Sequence, residues 1–187
     1  YEADVLDKGI LEKVHEQVRS DFGLCRILIN GAGGNSPRCT TDKETYSHGD
    51  EAAQAASFFS LDKEGFEFVF SLNLLGTLLP TQVFARDMTE AGKGCIVNIS
   101  SMNAFRPLTK IPAYSAAKAS VSNFTQWLAV HFAQAGIRVN AIAPGFFATN
   151  QNRALLFDEA GNPTPRTGKI LQATPMGRFG RPEELLG

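Results

Sequence analysis

The sequence predicts an α/β fold, a doubly wound parallel sheet with helices on both faces, and three observations carry that expectation. Short, almost wholly apolar runs recur along the chain: "CRILIN", "GCIVNIS" and "IRVNAIAPG". Longer segments of helical periodicity separate them. Each strand–helix–strand unit at this spacing needs a right-handed crossover, which makes its strands parallel. Strands covered on both faces lose the in–out alternation of a half-exposed sheet, and these runs have lost it.

Taken in order, Asp7 is placed to cap a helix over "KGILEKVHEQVRSDFG", with Ile10, Leu11, Val14 and Val18 on one face. The strand "CRILIN" follows Gly23 and runs into "NGAGGN". Gly31 and Gly33 supply a G-x-G, but Ser36 stands where a third glycine belongs and Pro37 opens a polar stretch. No phosphate-binding helix starts there, so the turn is not a dinucleotide phosphate fingerprint. A second helix fits "LDKEGFEFVFSLNLLGTLLPTQVFARDMTEAG", with an interruption or kink near Pro80. Strand "GCIVNIS", a long helix from about Tyr114 to Gln134, and strand "IRVNAIAPG" complete the alternation. Beyond Gly145 the chain turns irregular, rich in Pro, Gly, Asn and Arg, and residues 146–180 read as a mobile substrate loop. Pro182 and two glutamates then suit the first turn of another helix.

With 187 residues, 43% hydrophobic and 20% charged, the chain reads as one globular domain over residues 1–187. A net charge of −1 offers no field for nucleic acid or an anionic membrane, so neither is expected as a partner. The apolar runs are short and broken, so no bilayer span is expected. The opening residues read as folded interior rather than leader. Cys25, Cys39 and Cys95 are widely spaced, without metal-ligand spacing, and suit small buried positions in a reduced, cytoplasmic compartment. No metal site is expected.

The chemistry lies in "YSAAK", which sets Tyr114 and Lys118 four apart on one helix face. A phenol titrates near 10, and an adjacent ammonium favours the phenolate, bringing it toward neutral pH. Alone, the pair is indistinguishable from an ordinary surface pair. Ser101, however, directly follows the strand "CIVNIS", at the sheet edge where open parallel sheets place ligands, and Tyr114 comes 13 positions later. Small residues around Tyr114 (Ser115, Ala116, Ala117, Ala119, Ser120) allow close approach to that helix.

This combination resembles the short-chain dehydrogenase/reductase family, with a Rossmann-type sheet. The resemblance implies hydride transfer between NAD or NADP and a ketone or secondary alcohol. In that scheme Ser101 bonds the substrate oxygen, Tyr114 exchanges its proton, and Lys118 lowers the tyrosine pKa and holds the nicotinamide ribose. Asn73, in "SLNLLGTL", matches the asparagine that kinks its helix and holds a relay water. "ADV" resembles the end of the family's third strand, with Asp4 and Val5 at the adenine. "NGAGG" resembles its Asn-Asn-Ala-Gly element, placing Asn30, Ala32 and Gly33 along the adenosine. "APGFFATN" resembles its Pro-Gly-x-x-x-Thr turn, with Pro144, Gly145 and Thr149 facing nicotinamide.

One departure is large. The family's Gly-rich phosphate loop does not occur in the sequence. By the resemblance the chain starts at the third strand and stops before the last, so the fold is expected to lack its first strands and its last strand. The residue separating NAD from NADP would lie in the missing part. For the substrate, the long connection from Gly33 to Asn73 and the polar segment "SMNAFRPLTKIPAY" are informative. Arg106 and Lys110 suit an anionic substrate, Asn103 its hydroxyls, and Arg153 is a further candidate. These strings, with "NFTQWLAVHFA" and "APGFFATNQNRALLFDE", resemble the mannonate-oxidising branch of the family. That implies interconversion of D-fructuronate and D-mannonate. Gluconate 5-dehydrogenase and other polyol dehydrogenases are the alternatives, and a non-catalytic nucleotide-binding sensor or scaffold is the alternative of a different class. Family members assemble as homotetramers or homodimers, and Phe124, Trp127 and Leu128 are the candidate packing residues.

Overall fold

The computed structural model describes residues 1–50, 55–149 and 152–186. It divides into two compact units, Tyr1–Ala143 and Pro144–Gly187.

In the first unit, helix α1 (Lys8–Phe22) begins where Asp7 accepts the N–H of Ile10 at 3.0 Å. It ends at Gly23, whose φ of 80° favours glycine and lets its N–H reach the Arg19 carbonyl. Strand β1 (Ile27–Asn30) follows. Asp62 caps α2 (Lys63–Phe70) by accepting the N–H groups of Glu64 and Gly65. The helix then widens into a π segment, Ser71–Leu75, before α3 (Gly76–Ala91). Strand β2 (Gly94–Ile99), helix α4 (Pro112–His131) and strand β3 (Ile137–Ile142) complete the unit.

The three strands are parallel in the order β1-β2-β3, with Asn30 opposite Asn98 and Ile99 opposite Ile142. Met88 of α3, Leu128 of α4 and the strand residues Ile96, Ile137 and Val139 form one buried cluster, which glues both long helices to the sheet. A second cluster, Cys39, Val69, Ala113 and Ala117, joins α2 to the start of α4, and Tyr114 packs against it. The α/β class and the parallel pairing of the sequence reading are therefore present.

Some details differ from expectation. Pro80 sits inside regular α3, and the irregular turn is the π segment upstream of it. The N–H that proline lacks would have met the carbonyl of Gly76, at the seam between the two segments, so the irregularity is absorbed on the N-terminal side. Helix α4 starts at Pro112, in the first turn where proline costs no hydrogen bond. Ala3–Val5 pairs with no strand among the described residues. The continuous helical run Lys63–Ala91 contains an 18-residue window with a mean hydropathy of 1.5, long and apolar enough by length and composition to cross a membrane, which corrects the expectation that no segment is. Half of that window is buried, and Val69, Val83, Ala85 and Met88 supply the inward face of the run.

The second unit holds two short helices, α5 (Arg153–Leu156) and α6 (Pro165–Gln172), where the sequence read as irregular. Thr164 caps α6, and buried Thr167 donates to the Leu156 carbonyl, tying the two helices together. Gly180 pairs with the Phe147 strand segment so closely that a Cβ would meet the phenyl ring at 2.5 Å. The helix expected at Pro182 is a single 3-10 turn, Pro182–Leu185.

Candidate active site

The site is built at the C-terminal end of β2. Ser100 continues the ladder by donating its N–H to Ile142 at 2.8 Å, while its hydroxyl donates to the Lys118 carbonyl at 3.2 Å and pairs with Ser122 at 2.6 Å. It thus straps α4 to the strand end beneath Lys118. Ser101 caps the 3-10 turn Met102–Ala104, its Oγ accepting the Asn103 N–H at 3.2 Å. That bond uses an acceptor lone pair of the hydroxyl and leaves its O–H free to donate.

Tyr114 lies in the first turn of α4 and Lys118 one turn on. Lys118 is 3% exposed, and its Nζ donates to the Ile99 carbonyl at 2.7 Å and stands 5.7 Å from the Tyr114 ring centroid. Burial pushes this lysine down to about 8. Burial also raises the Tyr114 phenol above its usual value, and the Ser101 hydroxyl beside it pulls the other way. The phenol, the serine hydroxyl and the ammonium therefore converge at one strand end.

Asn73 lies in the π segment, fully buried. Its Nδ2 donates to the carbonyls of Val69 at 2.7 Å and Gly34 at 2.8 Å, and its Oδ1 accepts the Gly34 N–H at 3.3 Å. The side chain thereby clips the loop after β1 to the helix. Gly33 is pressed between the two functional groups: a Cβ there would stand 2.6 Å from Asn73 Oδ1 and 2.9 Å from Lys118 Nζ. Four expected residues, Ser101, Tyr114, Lys118 and Asn73, and the glycine of the "NGAGG" turn are brought together.

The remaining candidates are placed variously. Asn30 turns inward, its Nδ2 donating to Thr81 at 3.0 Å and Asn98 at 2.8 Å, and Asn98 in turn donates to Thr125 at 2.9 Å. Thr81 and Thr77 continue the chain of hydrogen bonds along α3 to the Asn73 carbonyl. This buried ladder links α4, both strands and the π segment. Val5 and Ala32 flank Gly76, and a Cβ on Gly76 would lie 3.1 Å and 3.9 Å from them. Asp4 is exposed and accepts the Leu6 N–H at 2.9 Å. Asn103 is buried; Arg106 is exposed and Lys110 half-buried, and neither cation forms an ion pair among the described residues. Pro144, Gly145, Thr149 and Arg153 belong to the second unit, where the Arg153 guanidinium lies 5.8 Å from the Phe157 ring centroid.

Ser100 and the ladder residues Thr81, Asn98 and Thr125 did not stand out in the sequence. The available signals were a serine doublet at a strand end and threonines four apart (Thr77, Thr81) in an otherwise apolar helix.

Comparison with known proteins agrees with this architecture. A Haemophilus influenzae relative named "Uncharacterized oxidoreductase" is 62% identical over 187 residues, which is all of this chain and 65% of that protein. This chain therefore spans about two thirds of that relative's length. A crystal structure of a candidate D-mannonate oxidoreductase from Haemophilus influenzae, with bound NAD, superposes with a TM-score of 0.92 at 62% identity, covering 100% of this chain and 66% of that one. A gluconate 5-dehydrogenase from Burkholderia cenocepacia, in complex with NADP and tartrate, gives 0.79 at 27% identity, covering 98% and 63%. The family model for short chain dehydrogenases matches residues 1–160. With its parallel sheet and the serine, tyrosine and lysine gathered at one strand end, the chain belongs to the short chain dehydrogenase family.

Proposed function

We propose that the protein carrying this chain is an NAD(P)-dependent oxidoreductase that interconverts a ketone and a secondary alcohol, with a sugar acid, D-fructuronate or D-mannonate, as its substrate. The observation that carries the reading is the convergence of Ser101, Tyr114 and buried Lys118 at the end of β2. A sensor or scaffold has no use for a buried lysine held beside a phenol and a donor-oriented serine hydroxyl.

In reduction, Ser101 donates its O–H to the substrate carbonyl oxygen, and Tyr114 gives that oxygen its proton as the carbon becomes tetrahedral. The hydride would come from a nicotinamide held by Lys118 in this direction and return to it in the reverse. Lys118, still largely cationic at neutral pH with its pKa about 8, favours the phenolate left behind and so works against the burial of Tyr114. The side-chain-free Gly33 packs tightly against Lys118 Nζ and Asn73 Oδ1, where a Cβ would stand 2.9 Å and 2.6 Å away. The ammonium beside this turn would hold a ribose hydroxyl of the bound cofactor, and Asn73 fixes the turn by its bonds to Gly34.

The sugar-acid assignment is supported by Arg106 and Lys110, which form no ion pair among the described residues, on the segment joining Ser101 to Tyr114, and by the likeness to the candidate D-mannonate oxidoreductase structure. The gluconate 5-dehydrogenase likeness supports a second reading, a keto-gluconate as substrate. On α4, Trp127 is 56% and Val130 80% exposed, which supports assembly as a homodimer or homotetramer through this helix.

The test is NADH and NADPH absorbance with D-fructuronate, repeated with Tyr114→Phe. Turnover lost in the variant is the expected result. Turnover untouched by the substitution sinks the mechanism, and turnover of 5-keto-D-gluconate alone moves the substrate to the second reading.

A further inference from the structure

Four asparagines are buried in the first unit: Asn30, Asn73, Asn98 and Asn103. Three have their amides spent inside the protein, on Thr81 and Asn98, on Val69 and Gly34, and on Thr125. Asn103 differs. It is 5% exposed, yet its side-chain amide makes no hydrogen bond among the described residues. Among the described residues no fully sealed side-chain nitrogen or oxygen lacks a partner, so the amide of Asn103 reaches the surface through the small part of the residue left open. A carboxamide largely enclosed by protein, with no protein partner and only its polar tip open, is available to a ligand that enters there.

Its location says what. The backbone N–H of Asn103 bonds Ser101 Oγ at 3.2 Å, so the residue is one hydrogen bond from the hydroxyl that meets the substrate oxygen. A carboxamide carries both donors and an acceptor and therefore satisfies a hydroxyl in either of its roles, whereas an aliphatic carbon leaves it unpaired. We propose that Asn103 is the specificity-determining residue that reads the hydroxyl on the carbon next to the reacting one, restricting turnover to α-hydroxy ketones and vicinal diols. This deepens the oxidoreductase reading and rests on it. Arg106 and Lys110, more exposed on the same segment, are left to the carboxylate at the far end of the molecule.

The experiment compares wild type with Asn103→Leu, which keeps the volume, and Asn103→Thr, which puts a smaller hydrogen-bonding group, a hydroxyl, in place of the amide. Substrates are D-fructuronate, 5-keto-D-gluconate and a cyclic ketone without hydroxyls, followed by NAD(P)H absorbance. NADH affinity and thermal melting establish that each variant is folded. The expected result is a roughly tenfold to hundredfold loss in kcat/KM on the hydroxylated ketones, carried mainly by KM. NADH affinity stays unchanged, the plain ketone shows no loss, and Asn103→Thr recovers part of the activity. A folded Asn103→Leu enzyme with wild-type kcat/KM on the hydroxylated ketones overturns the proposal, as does equal loss on the plain ketone. Wild type that ignores D-fructuronate but turns over 5-keto-D-gluconate in an Asn103-dependent way sinks the uronate assignment and keeps this one. Turnover of the plain ketone alone overturns both, and so does absence of turnover on all three.

Discussion

Gly33 and Lys118 fit together only because Gly33 has no side chain: a Cβ there would stand 2.9 Å from Nζ and 2.6 Å from Asn73 Oδ1. The lysine tip can swing aside. Asn73 cannot, because its Oδ1 holds the Gly34 N–H and its Nδ2 holds the Gly34 and Val69 carbonyls. Gly33→Ala should therefore cost about 1–3 kcal/mol by overpacking and lower kcat/KM by roughly tenfold through displaced functional groups. Urea denaturation and the NAD(P)H assay measure the two effects separately. An alanine variant of unchanged stability and activity would show that the wall yields.

The buried ammonium of Lys118 makes a pH prediction whose sign is fixed. Its pKa falls from 10.5 to about 8 on folding, because burial disfavours the charged form. Between those values the unfolded chain carries a proton that the folded chain has shed, so this residue's contribution to stability rises with pH across that window. Lys118→Met lacks the effect. The stability of wild type relative to Lys118→Met should climb from about pH 8 to about pH 10 and level off beyond. A difference flat in pH would mean that the lysine is well solvated.

What could be read from the sequence was what acts locally. Asp7 ahead of an apolar periodicity announced α1 and its cap, and Tyr114 and Lys118 at helical spacing announced their shared face. Ser101 was legible because it follows a strand-like run directly. The bonds that join distant segments were not. Nothing near Asn30 in sequence indicates that its amide meets Thr81 and Asn98, 51 and 68 positions away. Asn98 reads as a strand residue and Thr125 as a helix residue, and only the register of Asn30 against Asn98 makes them a network. The π segment was hidden for a related reason. Proline is the visible helix breaker, whereas the widening sits around Asn73, whose side chain bonds to Val69 and Gly34.

That network can be tested at its centre. Asn98 accepts from Asn30 at 2.8 Å and donates to Thr125 at 2.9 Å, with no exposure to water. Asn98→Leu matches the volume but strips both neighbours of a partner. Asn30 keeps its bond to Thr81, and Thr125 keeps its donation to the Val121 carbonyl, so the cost should be about 1–3 kcal/mol rather than loss of the fold. A double-mutant cycle with Thr125→Val should show coupling of about 0.5–2 kcal/mol, since the second substitution removes a group already orphaned. Strict additivity would mean that the two side chains do not share a bond in solution.

The carboxylate of Asp87 gives the acid limb of stability. It is fully buried on α3 and accepts from Cys25 N–H at 2.9 Å, His15 Nε2 at 2.8 Å and Arg19 Nη1 at 2.9 Å, so one group pins α1 and the entry to β1 against α3. Burial alone would raise its pKa, but the Cys25 amide, the imidazole and the guanidinium outweigh burial and leave it below the usual carboxylate value. With the folded pKa depressed, the stabilisation is complete above the unfolded value near 3.8 and drains away as pH falls through the folded one. Asp87→Asn keeps an oxygen for the Cys25 amide but loses the charge that faces His15 and Arg19. We expect it to cost about 2–3 kcal/mol near neutral pH, measured by chemical denaturation. The gap to wild type should narrow in acid below about pH 4. A gap that stays constant down to pH 3 would assign the loss to packing rather than to the carboxylate's charge.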